Sequence, residues 1–349
     1  MGLGHTSTGD EHIVHDKFMT ESAMIDQFGR RVEYLRISVT DKCNLRCVYC
    51  MPMEGLPWLK REDLLTYEEI EQIVHTMAGM GLRRVRITGG EPLVRRDLPD
   101  LVRMISAVPE IEDLSLSTNA VLLAEQAHAL RDAGVQRLNV SLDSLRSDRV
   151  DSIARRPGSY PKIMEGLDAA EDAGFSPIKI NVVLIRGQND DEIEDFAEIT
   201  RKRPWHVRFI EMMPTGANLD LSANQFISCT EALRRIERID SIEPVQGPFG
   251  NGPARYYQFK GAPGTIGVIT PMSHNYCDRC NRMRLTADGQ LRPCLFGSIQ
   301  TNLRDPLRSG EDLVPHIQET LQIKPERHQL IQGSDIGSGG LVALSQTGG

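Results

Sequence analysis

Residues 43–50 read CNLRCVYC and carry three thiols, Cys43, Cys47 and Cys50, in a C-x3-C-x2-C pattern. They follow residues 34–39, whose alternating apolar and polar side chains predict a β-strand. The loop that leaves this strand can gather the thiols at one point, and such spacings are typical of metal sites. Because structural zinc normally takes four protein ligands, three cysteines favour a four-iron cluster with one iron open to another ligand.

The composition is that of an ordinary globular protein. The 349 residues are 40% hydrophobic and 25% charged, enough for one large core or two unequal domains. A net charge of −8 argues against a general surface for nucleic acid or anionic membranes. Six of the seven cysteines fall in two short groups, which favours metal ligation in a reducing compartment over disulfides. We find no signal-peptide or transmembrane pattern and expect a cytoplasmic protein.

A strand, a polar loop and an amphipathic helix alternate along the chain. Strands are expected at residues 34–39, 84–87, 113–117, 137–142, 178–184 and 206–210. Helices are expected between them, one entered through a capping box at Thr66 and Glu69 and another ending at Gly134. The pattern predicts the α/β class, an incomplete (βα)6 barrel of the TIM type with a C-terminal cluster-binding extension.

Three segments differ in composition. We expect a flexible N-terminal tail at residues 1–26, the partial barrel at 27–243 and a C-terminal domain at 244–349. Near that boundary, residues 223–239 are expected to form one helix, and the Gly- and Pro-rich residues 244–253 a linker or an excursion.

The alternation within the strands predicts that one face of the sheet is polar and partly cationic. A filled TIM barrel has apolar side chains inside, so a polar interior indicates a wider, incomplete barrel that holds ligand and water. Buried cations are costly unless they face an anion. The residues predicted to share this face are Arg36, Ser38, Arg86, Ser115, Ser117, Asn139, Ser141, Lys179, Asn181 and Arg208.

A second group of three cysteines follows near the C-terminus as C-x2-C-x13-C, comprising Cys277, Cys280 and Cys294. A hairpin turn at Asp288-Gly289 would return the third cysteine to the first two. Arg282 and Arg284 lie two apart on the strand between, hence on one face, where they favour an anionic substrate. The alternative is a structural zinc site completed by Cys229, His274 or Asp278.

The first cysteine loop and the segment TGGEP at residues 88–92, one βα unit later, together resemble the radical S-adenosylmethionine (SAM) enzymes. The two cysteine groups in this order, with CNRMRLT at residues 280–286, resemble the GTP 3′,8-cyclase family of molybdenum cofactor biosynthesis. The resemblance covers residues 28 to about 321, and the terminal Gly348-Gly349 matches the double glycine with which family members end.

The resemblance implies two [4Fe-4S] clusters, one on each cysteine group. For SAM it implies a site formed by Tyr49, Gly90, Ser141 and Met213. For GTP it implies contacts from Arg36, Arg86, Thr118, Lys179, Arg282, Met283 and Arg284. Arg36, Arg282 and Arg284 are also the expected catalytic residues.

The implied reaction is that of a lyase, which forms (8S)-3′,8-cyclo-7,8-dihydroguanosine 5′-triphosphate after a 5′-deoxyadenosyl radical abstracts the ribose 3′ hydrogen. The implied partners are an electron-donor protein or reductase, a downstream cyclic pyranopterin monophosphate synthase and a second copy of the chain in a homodimer. Two alternatives are a radical SAM maturase that modifies peptides with an auxiliary cluster, and a non-catalytic zinc-binding scaffold.

Overall fold

The computed structural model describes residues 23–214, 222–248, 250, 252–328 and 344–347. The strands are β1 (Tyr34–Ser38), β2 (Arg84–Thr88), β3 (Asp113–Thr118), β4 (Arg137–Ser141), β5 (Ile178–Leu184), β6 (Trp205–Glu211), β7 (Ile242–Val245), β8 (Arg255–Phe259), β9 (Thr265–Ile269), β10 (Arg282–Leu285), β11 (Gln290–Arg292) and β12 (Thr301–Asn302).

The helices are α1 (Tyr67–Gly79), α2 (Leu98–Ser106), α3 (Ala127–Ala133), α4 (Ser147–Ala154), α5 (Ser159–Asp172), α6 (Ile193–Lys202), α7 (Ser222–Gln225), α8 (Cys229–Ile236), α9 (Arg304–Ser309), α10 (Val314–Gln322) and α11 (Leu344–Thr347). The predicted capping box at the start of α1 is confirmed: Thr66 Oγ1 accepts from the amide of Glu69, and the Glu69 carboxylate accepts from the amide of Thr66. Gly134 ends α3 with a φ of 118°, a conformation that glycine adopts without strain.

All strands belong to one sheet of order β12-β11-β10-β1-β2-β3-β4-β5-β6-β9-β8-β7. Strands β1 to β6 pair in parallel, as the βα pattern predicts. Over the described residues the sheet does not close, because the order is linear and ends in an antiparallel hairpin on each side. The prediction of an incomplete α/β barrel is confirmed.

The C-terminal part of the chain extends both edges of this barrel sheet. Strand β10 pairs in parallel with β1, and β9 pairs in parallel with β6. The hairpin predicted at Asp288-Gly289 joins β10 to β11, and Gly289 has a φ of 83°. Arg282 and Arg284 therefore lie next to β1, in the sheet that carries the first cysteine loop.

One expectation near the domain boundary is wrong. Residues 223–239 do not form one helix; α8 begins anew at Cys229, where the side chain of Ser228 caps it by accepting from the amide of Glu231. The expected linker or excursion at 244–253 begins in the last two residues of β7, and the rest of it lies between β7 and β8, which pair with each other. The predicted boundary at 243/244 thus falls within a strand, and the division into domains stays a prediction.

The N-terminal end of the described chain packs against the barrel. Met24 is buried, and its amide donates to the carbonyl of Met80 at 3.1 Å. Residues 24–26 of the expected tail are thus part of the packed structure, while residues 1–22 lie outside the described residues, as do Gly348 and Gly349.

The two faces of the sheet differ as the strand alternation predicts. Apolar residues of β1 to β6, such as Leu35, Val85 and Phe209, are fully buried in the hydrophobic core that the sheet forms with its helices. Their polar strand neighbours face the other way, into the barrel. The sequence period of two thus separates the core from the interior cavity.

Candidate active site

The polar face of the barrel sheet lines a cavity of about 260 Å³. Strand register places Arg284, Arg36 and Arg86 side by side across β10, β1 and β2. The predicted site residues that line the cavity are Arg36, Cys43, Cys47, Tyr49, Cys50, Arg86, Gly90, Thr118, Ser141, Met213, Arg282 and Arg284. Residues from distant parts of the sequence thus meet in one space.

Cations dominate the part of this cavity formed by the strands. We call Arg36, Arg86, Lys179, Arg208, Arg282 and Arg284 the cationic cluster. The five arginines line the cavity; the predicted site residue Lys179 is not among the lining residues, but it is near enough to Arg208 and Arg86 for their charges to lower its pKa. The Nε atoms of Arg36 and Arg282 are buried without a hydrogen-bond partner in the described parts of the chain. Burial, followed by repulsion from Arg284 and Arg86, holds the pKa of Arg36 well below its usual value. A polyanion that binds in the cavity would give the buried Nε atoms hydrogen-bond partners and would offset the repulsion among the arginines.

Lys179 lies on β5 beside other cations. Its side chain is buried, and burial together with the charges of Arg208 and Arg137 lowers its pKa to about 6. Arg137 forms an ion pair with Asp113, whereas Arg208 donates to the amide oxygen of Asn139 at 2.7 Å. The surroundings of Lys179 are thus strongly positive without a ligand.

Met283 is the predicted site residue whose side chain faces away from the cavity. It is fully buried in the hydrophobic core, on the opposite face of β10 from Arg282 and Arg284. A contact between Met283 and a ligand in the cavity can come only from its backbone. The RMR triplet therefore supplies two cavity side chains and one core side chain.

At the carboxyl ends of the strands the cavity is bordered by the first cysteine loop and by TGGEP. The two loops touch through their backbones: the amide of Gly90 donates to Thr40 at 2.6 Å and that of Glu91 to Lys42 at 2.8 Å. A Cβ atom at Gly90 would lie 2.3 Å from the carbonyl oxygen of Lys42. Gly90 is therefore required for the close approach of the two loops, in addition to the place in the SAM site that the resemblance implies for it.

Buried carboxyl groups accompany the first cysteine group. Glu91 accepts from Thr118 Oγ1 and the amide of Asn119, both at 2.7 Å, and burial raises its pKa to about 7. The hydroxyl of Tyr49 donates to Asp143 at 2.7 Å, and burial raises the pKa of Asp143 to about 6. Sequence reasoning did not single out Asp143, although it follows the end of β4 as other site residues follow their strands.

The first cysteine loop is chemically suited to an iron-sulfur cluster, because its possible ligands are thiols. Cys43 Sγ accepts from the amide of Leu45 at 3.4 Å and lies 3.9 Å from Asn119 Nδ2. Burial raises the pKa of the Cys43 thiol to about 12 and that of Cys47 well above its usual value. A bound metal would reverse this, because a coordinated thiol is deprotonated.

The second cysteine group lies beside β10. Cys277 and Cys280 flank a single helical turn, and Cys294 follows β11. Although burial acts to raise the pKa of Cys280, the charges of Lys324 and Arg282 bring it below its usual value. Lys324 Nζ lies 3.6 Å from Cys280 Sγ.

The donors proposed to complete a zinc site are engaged elsewhere. The Cys229 thiol is buried and donates to the carbonyls of Phe209 and Ile269. Asp278 forms an ion pair with Arg327 at 2.9 Å, and His274 Nδ1 lies 3.2 Å from Ser273 Oγ. Within the described residues, no three His, Cys, Asp or Glu side chains converge on a single ion.

Comparison with known proteins places these features in a family. Residues 37–199 match the Radical SAM superfamily, and residues 205–330 match the family described as Molybdenum Cofactor Synthesis C. A protein named GTP 3′,8-cyclase from Pelotomaculum thermopropionicum is 48% identical over 314 residues, which cover 89% of this chain and 96% of the relative. The chain belongs to the GTP 3′,8-cyclase family. A GTP 3′,8-cyclase from Listeria monocytogenes is 47% identical over 87% of this chain and 92% of its own length.

Membership of the GTP 3′,8-cyclase family makes the chain a radical SAM enzyme with a role in molybdenum cofactor biosynthesis, and implies a [4Fe-4S] cluster and SAM. It does not favour the peptide-modifying maturase or the zinc scaffold. Streptococcus suis SuiB has the same fold, with a TM-score of 0.64 at 13% identity over 91% of this chain and 73% of SuiB. SuiB bound to S-adenosylmethionine gives a TM-score of 0.61 at 15% identity over 90% of this chain and 72% of SuiB.

The helices also show whether any of them could cross a membrane. Within the described ranges, none combines the length and the apolar character needed to span a bilayer.

Proposed function

We propose that this chain cyclises GTP to (8S)-3′,8-cyclo-7,8-dihydroguanosine 5′-triphosphate. The observation that carries the proposal is the meeting of a three-cysteine loop and a cationic cluster in one cavity. A triphosphate would supply the anionic partner that the buried cations around Arg36 require. The names of the relatives in the family support the same substrate.

In this proposal the carboxyl-end loops hold the first cluster and SAM. Cys43, Cys47 and Cys50 would bind three irons, and SAM bound to the fourth would supply the hydrogen-abstracting chemistry. Tyr49, Gly90, Ser141 and Met213 would surround SAM, and all four line the cavity. The buried carboxyl groups of Glu91 and Asp143 favour a cation there, and SAM carries a sulfonium and an amino group.

The strands would hold GTP. Arg36, Arg86, Lys179, Arg282 and Arg284 would bind the triphosphate, and Thr118, whose hydroxyl donates to Glu91, would accept a hydrogen bond near the nucleoside. Bound phosphate would raise the pKa of Lys179 and keep it charged. Arg36, Arg282 and Arg284 would also stabilise charge that develops during cyclisation, since all three line the cavity.

We further propose that Cys277, Cys280 and Cys294 bind a second [4Fe-4S] cluster that orients the guanine. Arg282 and Arg284 link this cysteine group to the cavity, because they line the cavity and follow Cys280 by two and four residues. The backbone of Met283 lies between them. The protein itself would thus contribute by positioning SAM and GTP and by excluding water.

The remaining expected partners follow from this proposal. An electron-donor protein or reductase would reduce the clusters, and a cyclic pyranopterin monophosphate synthase would consume the product. A homodimer and a cytoplasmic location also remain predictions.

The test is anaerobic reconstitution with iron and sulfide, reduction, and incubation with SAM and GTP. We expect mass spectrometry to detect 5′-deoxyadenosine and a cyclised GTP product, with ATP as the matched control that yields no cyclised nucleotide. Formation of 5′-deoxyadenosine with GTP left intact would contradict the substrate assignment and leave the radical SAM assignment in place.

A further inference from the structure

Lys324 follows α10 and ends beside the second cysteine group. Its side chain is among the largest fully buried ones of the described residues, with 2% of the residue exposed. Its Nζ donates to Cys280 Sγ at 3.6 Å, to the carbonyl of Arg282 at 3.0 Å and to that of Pro293 at 2.6 Å. None of these three acceptors is a carboxylate.

Three acceptors around one lysine nitrogen match the three donors of an ammonium group. A neutral amine has only two N–H bonds and would direct its lone pair at one of the oxygens. The geometry therefore calls for the charged form of Lys324. A buried charge without a carboxylate partner is costly unless another negative group faces it, and here the nearest candidate is the sulfur of Cys280.

The contacts of Lys324 connect the two segments that carry the cysteines. Arg282 lies two residues after Cys280, and Pro293 directly precedes Cys294. One side chain thus ties the start of β10 to the end of the hairpin at the point where the cysteines must meet.

The segment that carries Lys324 is itself held in place. The guanidinium of Arg30 donates to the carbonyls of Cys277 and Glu326 at 2.8 Å and of Pro325 at 2.7 Å. Asp26 orients Arg30 through an ion pair of 2.6 Å between buried side chains. Asp26 and Arg30, near the N-terminal end of the described residues, therefore hold Cys277 and the segment after Lys324 in place.

We propose that Lys324 is a positioning residue of the second cysteine group, which aligns Cys280 and Cys294 for cluster binding and raises the reduction potential of the bound cluster. This inference rests on the proposed second cluster. Hydrogen bonds to cluster sulfurs and nearby positive charge both stabilise the reduced, more negative state. An apolar residue of the same length would fill the space and supply neither.

The experiment uses the full chain with Cys43, Cys47 and Cys50 replaced by alanine, so that iron reports on the second group alone. In this background, Lys324→Met is expected to lower bound iron to less than half. The remaining cluster should show a roughly tenfold lower reduced-to-oxidised ratio at the parent's midpoint, about 59 mV for one electron. Iron analysis and a redox titration followed by electron paramagnetic resonance measure both. Unchanged iron and potential would overturn the inference.

Three controls separate the possible failures. Lys260→Met removes an exposed lysine and should change neither iron nor potential. Lys324→Met in a chain with Cys277, Cys280 and Cys294 replaced by alanine should leave iron at the first group unchanged; a loss there would reveal a general structural role and overturn the inference. If the parent without the first cysteine group binds no iron, the proposed second cluster itself fails.

A second variant covers the case in which Lys324→Met does not fold. Lys324→Arg keeps the charge, but its planar fork cannot reach the three acceptors of the ammonium. It should fold, bind less iron than the parent and keep a potential close to that of the parent. Wild-type iron content in Lys324→Arg would contradict the positioning role.

Discussion

The two cysteine groups have the same number of thiols and opposite electrostatic surroundings. Around the first, buried Glu91 and Asp143 add negative charge and raise the thiol pKa values of Cys43 and Cys47 beyond the effect of burial. Around the second, Lys324 and Arg282 act in the other direction on Cys280. An equal number of thiols thus leads to two sites with different chemistry, because the charged neighbours come from elsewhere in the fold.

The difference matches the charges of the two proposed ligands. The acidic surroundings of the first group suit the cationic sulfonium and amine of SAM. The cations beside the second group continue into the cationic cluster, which suits a triphosphate. The same asymmetry is expected to make the first cluster harder to reduce than the second, since nearby negative charge disfavours the reduced state.

The largest expected effect comes from removing one cysteine from each group. Cys43→Ala should abolish both 5′-deoxyadenosine and the cyclised product, because in the proposed function the first group holds the cluster that binds SAM. Cys294→Ala should abolish the cyclised product and leave SAM cleavage measurable. Mass spectrometry of both products makes the comparison, with Cys229→Ser as a thiol control outside the cavity. Loss of SAM cleavage in both variants would show that SAM cleavage does not depend on the first group alone.

Arg36→Ala tests the role of the cationic cluster in GTP binding. Removing one partner of a buried charge contact costs about 2 to 5 kcal/mol, so GTP binding and cyclisation should weaken about 30-fold or more. SAM cleavage should change much less, because Arg36 lies within β1 and not on the cysteine loop. Product formation is measured at several GTP concentrations, with the exposed Arg103→Ala as control. Equal losses of both products would contradict the assigned role.

The pH dependence of GTP binding tests Lys179. In the free protein its lowered pKa of about 6 leaves it mostly neutral above pH 7, and a bound triphosphate would restore the proton. GTP binding should therefore take up a proton and weaken by up to about tenfold per pH unit as the pH rises above 6. Calorimetry in buffers of different ionisation enthalpy measures the uptake, and Lys179→Met should remove it. A pH-independent affinity in the wild type would refute the linkage.

The smallest expected effect is that of Gly90→Ala. The added Cβ would lie 2.3 Å from Lys42 O, so the contact between the two loops must open. Overpacking of this kind costs about 1 to 3 kcal/mol, and we expect less iron at the first group with the second unaffected. Gly79→Ala is the matched control, since its Cβ meets no atom within 4 Å in α1. Iron content of each single-group chain is the measurement.

The sequence by itself determined the six parallel strands and the face that each side chain occupies. A period of two in β1 to β6 is a local property, so Arg36, Arg86 and Ser141 could be assigned to the interior from spacing alone. The cysteine spacings and the capping box of α1 are local in the same sense. The family resemblance, and not the strand period, placed Met283 among the GTP contacts, and the alternation puts its side chain in the core.

Only the tertiary structure decided which distant residues meet. Strand β10 returns to pair with β1 from about 250 residues away, and this pairing brings Arg284 beside Arg36. The packing of Gly90 on Lys42, the partnership of Tyr49 with Asp143 and the reach of Lys324 to Cys280 depend on such returns. Local patterns carry no information on long-range pairing, because it depends on how whole elements bury their surfaces together.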